Sequence, residues 1–278
     1  MSDILDDTII TGADGVIGSY IDFGIKTNRR SLDITDRKQI WKVFSKYKPK
    51  VVLHLAALTD LEKCEAEPQL AYQINAVGTF NLALAAKEIE AKLIYISTNG
   101  VFDGLKTSPY VEQDIPNPQN IYGCSKYLGE LSVNHLGSNS LIVRTSWIFG
   151  GGTGKDRKFV AKIMGLLKKD QQVIEAISNR LGTPTFAKDL VVATKELILN
   201  GTAGLVHVAN KGECSRYDMV KEIVNHSGKS IEVKPVDSSH FPSYANQLIN
   251  ESLGSNVFSS ARPWQEALRE YLSTEWTQ

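Results

Sequence analysis

Tyr122 and Lys126 stand four residues apart in Asn120-Ile-Tyr122-Gly-Cys-Ser-Lys126, downstream of an apolar run, Lys92-Leu-Ile-Tyr-Ile-Ser97-Thr98. On a helix, positions i and i+4 share a face, which sets a phenol and an ammonium one turn apart. A free tyrosine titrates near pH 10 and relays protons poorly at neutral pH, and a neighbouring cation favours its phenolate. The pair therefore reads as acid–base chemistry at a helix turn, with the Ser97-Thr98 hydroxyls at the end of the preceding strand. By itself the spacing is common on solvated helices, so its meaning depends on the elements around it.

A second chemical signal lies at the start of the chain. Asp7-Thr-Ile-Ile-Thr11 has the character of a short buried strand and runs into Gly12-Ala-Asp14-Gly15-Val-Ile17-Gly18. Glycines let the backbone turn sharply and approach a pyrophosphate, and a following helix N-terminus attracts its charge. After a strand, the pattern favours dinucleotide binding over a plain tight turn. Only Ser19 to Phe23 remain for the first helix before Gly24 interrupts, so this half of the fold reads as trimmed.

The rest of the chain supplies a frame for these groups. Strand-like and helix-like segments alternate, which predicts an α/β fold, a doubly wound parallel sheet of Rossmann type. Ser31-Leu-Asp33-Ile-Thr-Asp36 leads into a helix from Arg37 to Lys48, and Lys50–Leu55 forms a continuous apolar strand ending at Ala56-Ala57. Apolar residues at helical spacing predict a helix over 68–90, and Leu141–Thr145 reads as a sixth strand. Ligands of such sheets sit beyond the carboxyl ends of the strands, where Gly12, Ala56, Ser97, Thr98 and Thr145 converge.

From Trp147 the alternation loosens. Residues 1–150 read as a cofactor-binding domain and 151–278 as a smaller substrate lobe interleaved with it. Helices are predicted over 159–169, 188–199, 217–225 and 264–272, with a short strand at Gly204–Val208. Gly150-Gly-Gly-Thr-Gly-Lys155 fails as a phosphate loop, because its glycines are too close and Asp156 occupies the place of the metal-binding hydroxyl. Lys155, Arg157 and Lys158 read as a solvated basic cluster, with an anionic substrate as the sharper alternative.

Composition limits the function classes. A formal net charge of +0 argues against a nucleic-acid or membrane surface, and no apolar run is long enough to span a bilayer. The acidic start, Met1 to Asp7, is not a signal peptide. Three scattered cysteines, Cys64, Cys124 and Cys214, suit a reducing cytoplasm rather than a disulfide framework, and no metal site is expected.

These motifs, with His54-Leu-Ala-Ala-Leu-Thr59, Asn75-Ala-Val-Gly-Thr79, Arg144-Thr-Ser-Trp147 and Gly182-Thr-Pro-Thr185, resemble the extended short-chain dehydrogenase/reductase family, in its dTDP-4-dehydrorhamnose reductase branch. The resemblance covers nearly the whole chain. It implies NADPH, with NADH as the alternative, and a nucleotide-linked keto sugar reduced at C4. It makes Tyr122 the proton donor, Lys126 the group that holds the nicotinamide ribose and lowers the tyrosine pKa, and Thr98 the residue that orients the substrate oxygen. Asn99 and Trp147 would face the sugar. Gly12, Asp14, Gly15, Val16 and Ile17 would wrap the pyrophosphate, Asp33 and Ile34 would meet the adenine, and Ala56, Ala57, Leu58, Asn75 and Ser97 would line the cofactor's path. Arg29 and Arg30, near the adenosine ribose, favour a 2′-phosphate. Helices 68–90 and 122–136 are candidates for a homodimer interface.

Two departures from the branch stand out. The pattern has Asp and Tyr after the threonine, where this chain has Asn99 and Gly100, which removes a carboxylate and an aromatic ring. The absence of an acid pair there also speaks against dehydration. The late Arg-Pro-x-Asn-Ser-x-Leu element reads Gln247-Leu-Ile-Asn250-Glu-Ser-Leu253, without the arginine. A non-catalytic regulatory subunit, of the kind represented by the methionine adenosyltransferase β subunit, and a nucleotide-sugar epimerase are the alternatives. An intact Thr98, Tyr122 and Lys126 set argues against the first.

Overall fold

The structure, a computed structural model, describes residues 4–137, 139–169, 171–246, 248–259 and 261–276. Its centre is a parallel sheet of six strands in the order Gly204–His207, Leu141–Thr145, Lys92–Thr98, Val51–His54, Thr8–Thr11, Ile25–Lys26. Both faces are covered, so the strand interiors are mainly apolar and their side chains divide by the two-residue period of the pleat. Ile9, Val52, Leu93, Tyr95 and Ile142 join one core with the helices Arg37–Tyr47, Thr79–Glu88 and Ile121–Leu136. Ile10, Leu53, Ile94, Ile96 and Val143 join the other, against the helix Ala187–Leu199.

The trimmed first helix is a four-residue 3₁₀ turn, Ile17–Tyr20. The strand after it is Ile25–Lys26, and Ser31 to Asp36 is turn and coil, so Leu141–Thr145 is the fifth strand in chain order and not the sixth. The helix expected over 68–90 is three consecutive pieces, Pro68–Tyr72, a π-helical turn Gln73–Gly78, and Thr79–Glu88. Single π turns inside helices often mark functional sites, and this one carries Asn75.

Helix ends follow local chemistry. The Asp36 carboxylate accepts from the N–H groups of Lys38 and Gln39 at 2.9 and 3.2 Å and opens Arg37–Tyr47. Asn120 opens Ile121–Leu136 by accepting from Gly123 N at 2.8 Å.

A further core is built from Phe149, Ile163, Phe186, Met219, Trp264 and Tyr271 on the helices Phe159–Lys168, Arg216–Ser227 and Trp264–Glu275 and neighbouring strands. Val173–Ile177 and Glu232–Val236 pair in parallel beside it. The loop predicted over Gly150–Lys155 contains a short helix, Gly152–Lys155. Among the described residues no helix is long and apolar enough to cross a membrane.

Candidate functional site

Chain order along the sheet reverses between Thr8–Thr11 and Val51–His54, and a doubly wound sheet binds ligands at such a switch point. The two strand ends meet closely there. Gly12 has φ of +68°, and a Cβ on it would lie 2.7 Å from Cα and N of Ala56. Glycine is thus required both by the left-handed backbone and by the contact. The Asp14-to-Ile17 turn that follows presents the start of a helix, whose first N–H groups have no intrahelical acceptor. Lys155, on the short helix Gly152–Lys155, donates to the Asp14 carbonyl at 3.0 Å. That lysine is therefore tied to the glycine loop instead of lying free on the surface. Arg157 folds back onto the carbonyls of Thr153, Gly154 and Asp156.

The predicted cofactor residues separate into two groups. Gly12, Val16, Ile17, Ala56, Ala57 and Leu58 are half-buried at the strand ends, and Asp14, Gly15, Arg29 and Arg30 are exposed around them. Asp33 accepts from N and Oγ1 of Thr35 at 2.9 and 2.7 Å, and Arg29 lies 3.8 Å from it. Ile34, Asn75 and Ser97 are buried and face protein groups. Ile34 packs in the core. Asn75 clamps Leu58 through both N (2.8 Å) and O (2.9 Å) and also donates to Ser125. Ser97 donates to Glu130 Oε1 at 2.5 Å. These three shape the cleft from behind.

Tyr122 and Thr98 lie beside each other, and Lys126 stands one turn further along the Tyr122 helix. Helix Ile121–Leu136 lies against the turn after Thr98 so closely that a Cβ on Gly123 would stand 2.0 Å from the Gly100 carbonyl oxygen. Glycine at 123 is what lets the helix set Tyr122 beside Thr98. The electrostatics differ from the expectation. Burial pushes the Tyr122 pKa up to about 12, the Thr98 hydroxyl opposes this, and Cys64 and Glu251 add to the rise. Lys126 does not lower it. Its Nζ donates to the Ile96 carbonyl at 2.7 Å and sits 4.1 Å from the centre of the Tyr95 ring, turned into the sheet. Burial pushes Lys126 itself down to about 7, against the pull of Glu130.

Three residues of the site were not singled out from sequence. Glu130 holds Arg144 bidentately at 2.9 and 2.6 Å, both side chains buried. Glu251, on the strand Asn250–Glu251, accepts from Asn99 Nδ2 at 3.1 Å and from Trp147 Nε1 at 3.0 Å. Burial holds its carboxyl above the usual range. Arg216 lies flat on Trp147, 3.7 Å from the ring centre, and also over Phe159. Trp147 has φ of +39°, a strained backbone for a bulky side chain, and strain of this kind gathers at ligand sites. No local pattern marks Glu251 or Arg216, since each belongs to the site only through the tertiary fold. Gln247, where the missing arginine was expected, lies outside the described residues.

A nicotinamide cofactor fits the strand ends on one direct observation. Among the described residues the buried Thr145 Oγ1 has no hydrogen-bond partner, and Thr145 pairs in register with Thr98. Buried polar atoms are rarely left unpaired, so a bound polar group at these strand ends has an acceptor and donor ready.

A Rossmann-type sheet with a Tyr-x-x-x-Lys helix beside its strand ends defines a protein of the extended short-chain dehydrogenase/reductase class. The chain belongs to the family described as RmlD substrate binding domain, which it matches over residues 7–276. It is 33% identical to the Bacillus subtilis spore coat polysaccharide biosynthesis protein SpsK, covering 95% of this chain and 96% of that one. A dTDP-4-dehydrorhamnose reductase from Clostridium acetobutylicum superposes with a TM-score of 0.92 at 35% identity, over 97% of this chain and 99% of that one. The Bacillus anthracis dTDP-4-dehydrorhamnose reductase, solved in complex with NADP, superposes with a TM-score of 0.90 at 34% identity, covering 96% and 98%.

Proposed function

We propose that this protein is an NADPH-dependent reductase of the C4 keto group of a nucleotide-linked deoxysugar, with dTDP-4-dehydrorhamnose as its substrate. The observation that carries the reading is the placement of Tyr122 beside Thr98 at the end of its strand, with Lys126 one turn away on the same helix. Relatives of matching length named for this activity, one of them holding NADP, support it.

The bound cofactor supplies hydride. The Gly12-to-Ile17 turn would hold its diphosphate and Arg29 and Arg30 would meet a 2′-phosphate, while Lys126 would have to leave the Ile96 carbonyl to reach the ribose. Residues 1–150 thus bind the cofactor, and the interleaved lobe 151–278 covers the substrate. A tyrosine held near 12 keeps its proton at neutral pH, which suits a donor to the alkoxide that reduction creates. Trp147 and Asn99 face the sugar. Free Cys64, Cys124 and Cys214 suit a reducing cytoplasm. The exposed side chains of Val77, Phe80, Leu128 and Leu131, on two helical segments packed against each other, favour a homodimer across that face.

The test is NADPH oxidation with dTDP-4-dehydrorhamnose, comparing wild type with Tyr122→Phe. Turnover in wild type that collapses in the variant, with NADPH binding retained, supports the reductase. Tight NADPH binding without turnover in either protein refutes the substrate assignment and turns attention to a regulatory role. A cofactor that stays bound and is recycled would instead indicate an epimerase.

A further inference from the structure

Asn99 removes a carboxylate from the turn after Thr98, and the fold puts one back from the far end of the chain. Asn99 is buried, and its Nδ2 donates to Oε1 of Glu251 at 3.1 Å and to the Glu251 carbonyl at 3.3 Å. The other carboxylate oxygen takes the Trp147 indole N–H at 3.0 Å, and Ser146 Oγ donates to the Glu251 carbonyl at 3.1 Å. Glu251 is therefore anchored on three sides, with Arg216 and Arg180 as the charges that face it.

The chemistry of this contact has a direction. The Glu251 main-chain carbonyl can only accept, so the Asn99 NH₂ that reaches it must face Glu251 and its Oδ1 must face the other way. There it meets Thr98 Oγ1 at 3.1 Å. The Thr98 hydroxyl hydrogen is thereby directed to Asn99, while Gly100 N–H donates to Thr98 Oγ1 at 3.1 Å. The lone pair that remains on Thr98 Oγ1 is free to accept from the neighbouring Tyr122 hydroxyl, which leaves the phenol to keep its proton.

We propose that Glu251 is a positioning residue for the reaction, which fixes the Asn99 amide and through it the direction of the Thr98 hydroxyl beside Tyr122. In the late element, aligned as Asn250-Glu-Ser-Leu253, Glu251 occupies the place of the branch pattern's Ser, as Asn99 occupies that of its Asp.

The test is a double-mutant cycle on the full-length protein with Asn99→Asp, Glu251→Ser and the pair combined, plus Glu251→Gln. Its kinetic arm rests on the proposed reductase activity. Glutamine offers one acceptor where Asn99 and Trp147 need two, so Glu251→Gln is expected to lower kcat about tenfold. NADPH affinity stays unchanged and the sugar KM moves less than kcat. Asn99→Asp alone sets two carboxylates against each other and loses a similar factor, and the combined variant recovers most of it. Unchanged kcat in Glu251→Gln, or single losses that simply multiply in the combined variant, overturns the proposal.

A second arm needs no substrate. Urea denaturation of the same proteins is expected to show the combined variant more stable than Asn99→Asp, and additive changes overturn the proposal. If wild type reduces no keto sugar, the functional reading fails while this arm still decides whether positions 99 and 251 act as a unit.

Discussion

The Nζ of Lys126 donates to the main-chain carbonyl of Ile96 at 2.7 Å, so the site's one buried ammonium is held by the strand and not by the phenol one turn away. With Lys126 only 3% exposed, the cost of keeping that charge out of water falls on the protein's own stability.

That cost has a pH signature. The Lys126 pKa is pushed from 10.5 to about 7 in the folded protein, so between these values the unfolded chain binds more protons than the folded one. Stability therefore rises with pH across the window as the folded lysine sheds its charge. Lys126→Met lacks that gain. Urea titrations without cofactor should find the variant's stability relative to wild type highest below the window and falling across it. A constant difference would show that Lys126 is not depressed.

Tyr122→Phe is expected to lower kcat by about 10²–10⁴-fold, the usual worth of a positioned proton donor. NADPH affinity measured by fluorescence titration should stay within a few-fold of wild type. Because Tyr122 is held near 12, wild-type kcat should show no loss from tyrosine ionisation until strongly alkaline pH.

Much of this site is legible in the chain because its signals are local. Thr8–Thr11, Val51–His54 and Lys92–Thr98 are runs of almost wholly buried residues that lead to Gly12, Ala56 and Thr98 at the strand ends. Ile25–Lys26 is two residues long and is a strand only through its pairing with Thr8–Thr11, so no periodicity announces it. The Tyr122–Lys126 spacing places both side chains on one helix but does not say where Nζ points, and the Ile96 carbonyl decides that. Glu251 joins Asn99 across 152 positions, and a carboxylate in an irregular segment has no pattern that foretells a partner so distant.

Cofactor choice should rest on the loop after Ile25–Lys26. Asn28 Oδ1 accepts from the N–H groups of Arg30 and Ser31 at 3.0 and 3.1 Å, which fixes the loop while leaving both arginine side chains exposed. Arg29→Ala/Arg30→Ala should weaken NADPH binding about tenfold or more, since charge-assisted phosphate bonds are among the stronger ones, and leave NADH binding nearly unchanged. Thermal stability should not move, because the Arg29–Asp33 pair at 3.8 Å is a surface contact of little worth. Equal losses for both cofactors would remove these residues from the 2′-phosphate.

Gly12→Ala tests the switch point. The added Cβ meets the Ala56 backbone at 2.7 Å from a left-handed φ, so the strand ends must part. We expect a loss of about 1–3 kcal/mol in denaturant unfolding together with weakened NADPH binding. Stability lost with binding intact would dissociate this turn from the cofactor.

Glu130 and Arg144 form a buried bidentate pair, side chains 2% and 3% exposed, that ties the catalytic helix to the strand beside Thr98. Glu130 also accepts from Ser97, while Arg144 NH1 has no hydrogen-bond partner among the described residues and the guanidinium rests 5.0 Å from the centre of the Phe102 ring. Removing one charge strands the other in the core, so Glu130→Ala should cost about 3–5 kcal/mol. Removing both is a different matter, because two desolvation costs vanish together. Glu130→Leu/Arg144→Met should therefore be far more stable than Glu130→Ala, approaching wild type. If stability returns in the double variant and kcat does not, the pair's contribution is to the placement of Tyr122 and Thr98. If both return, it is a packing element that an apolar pair can replace.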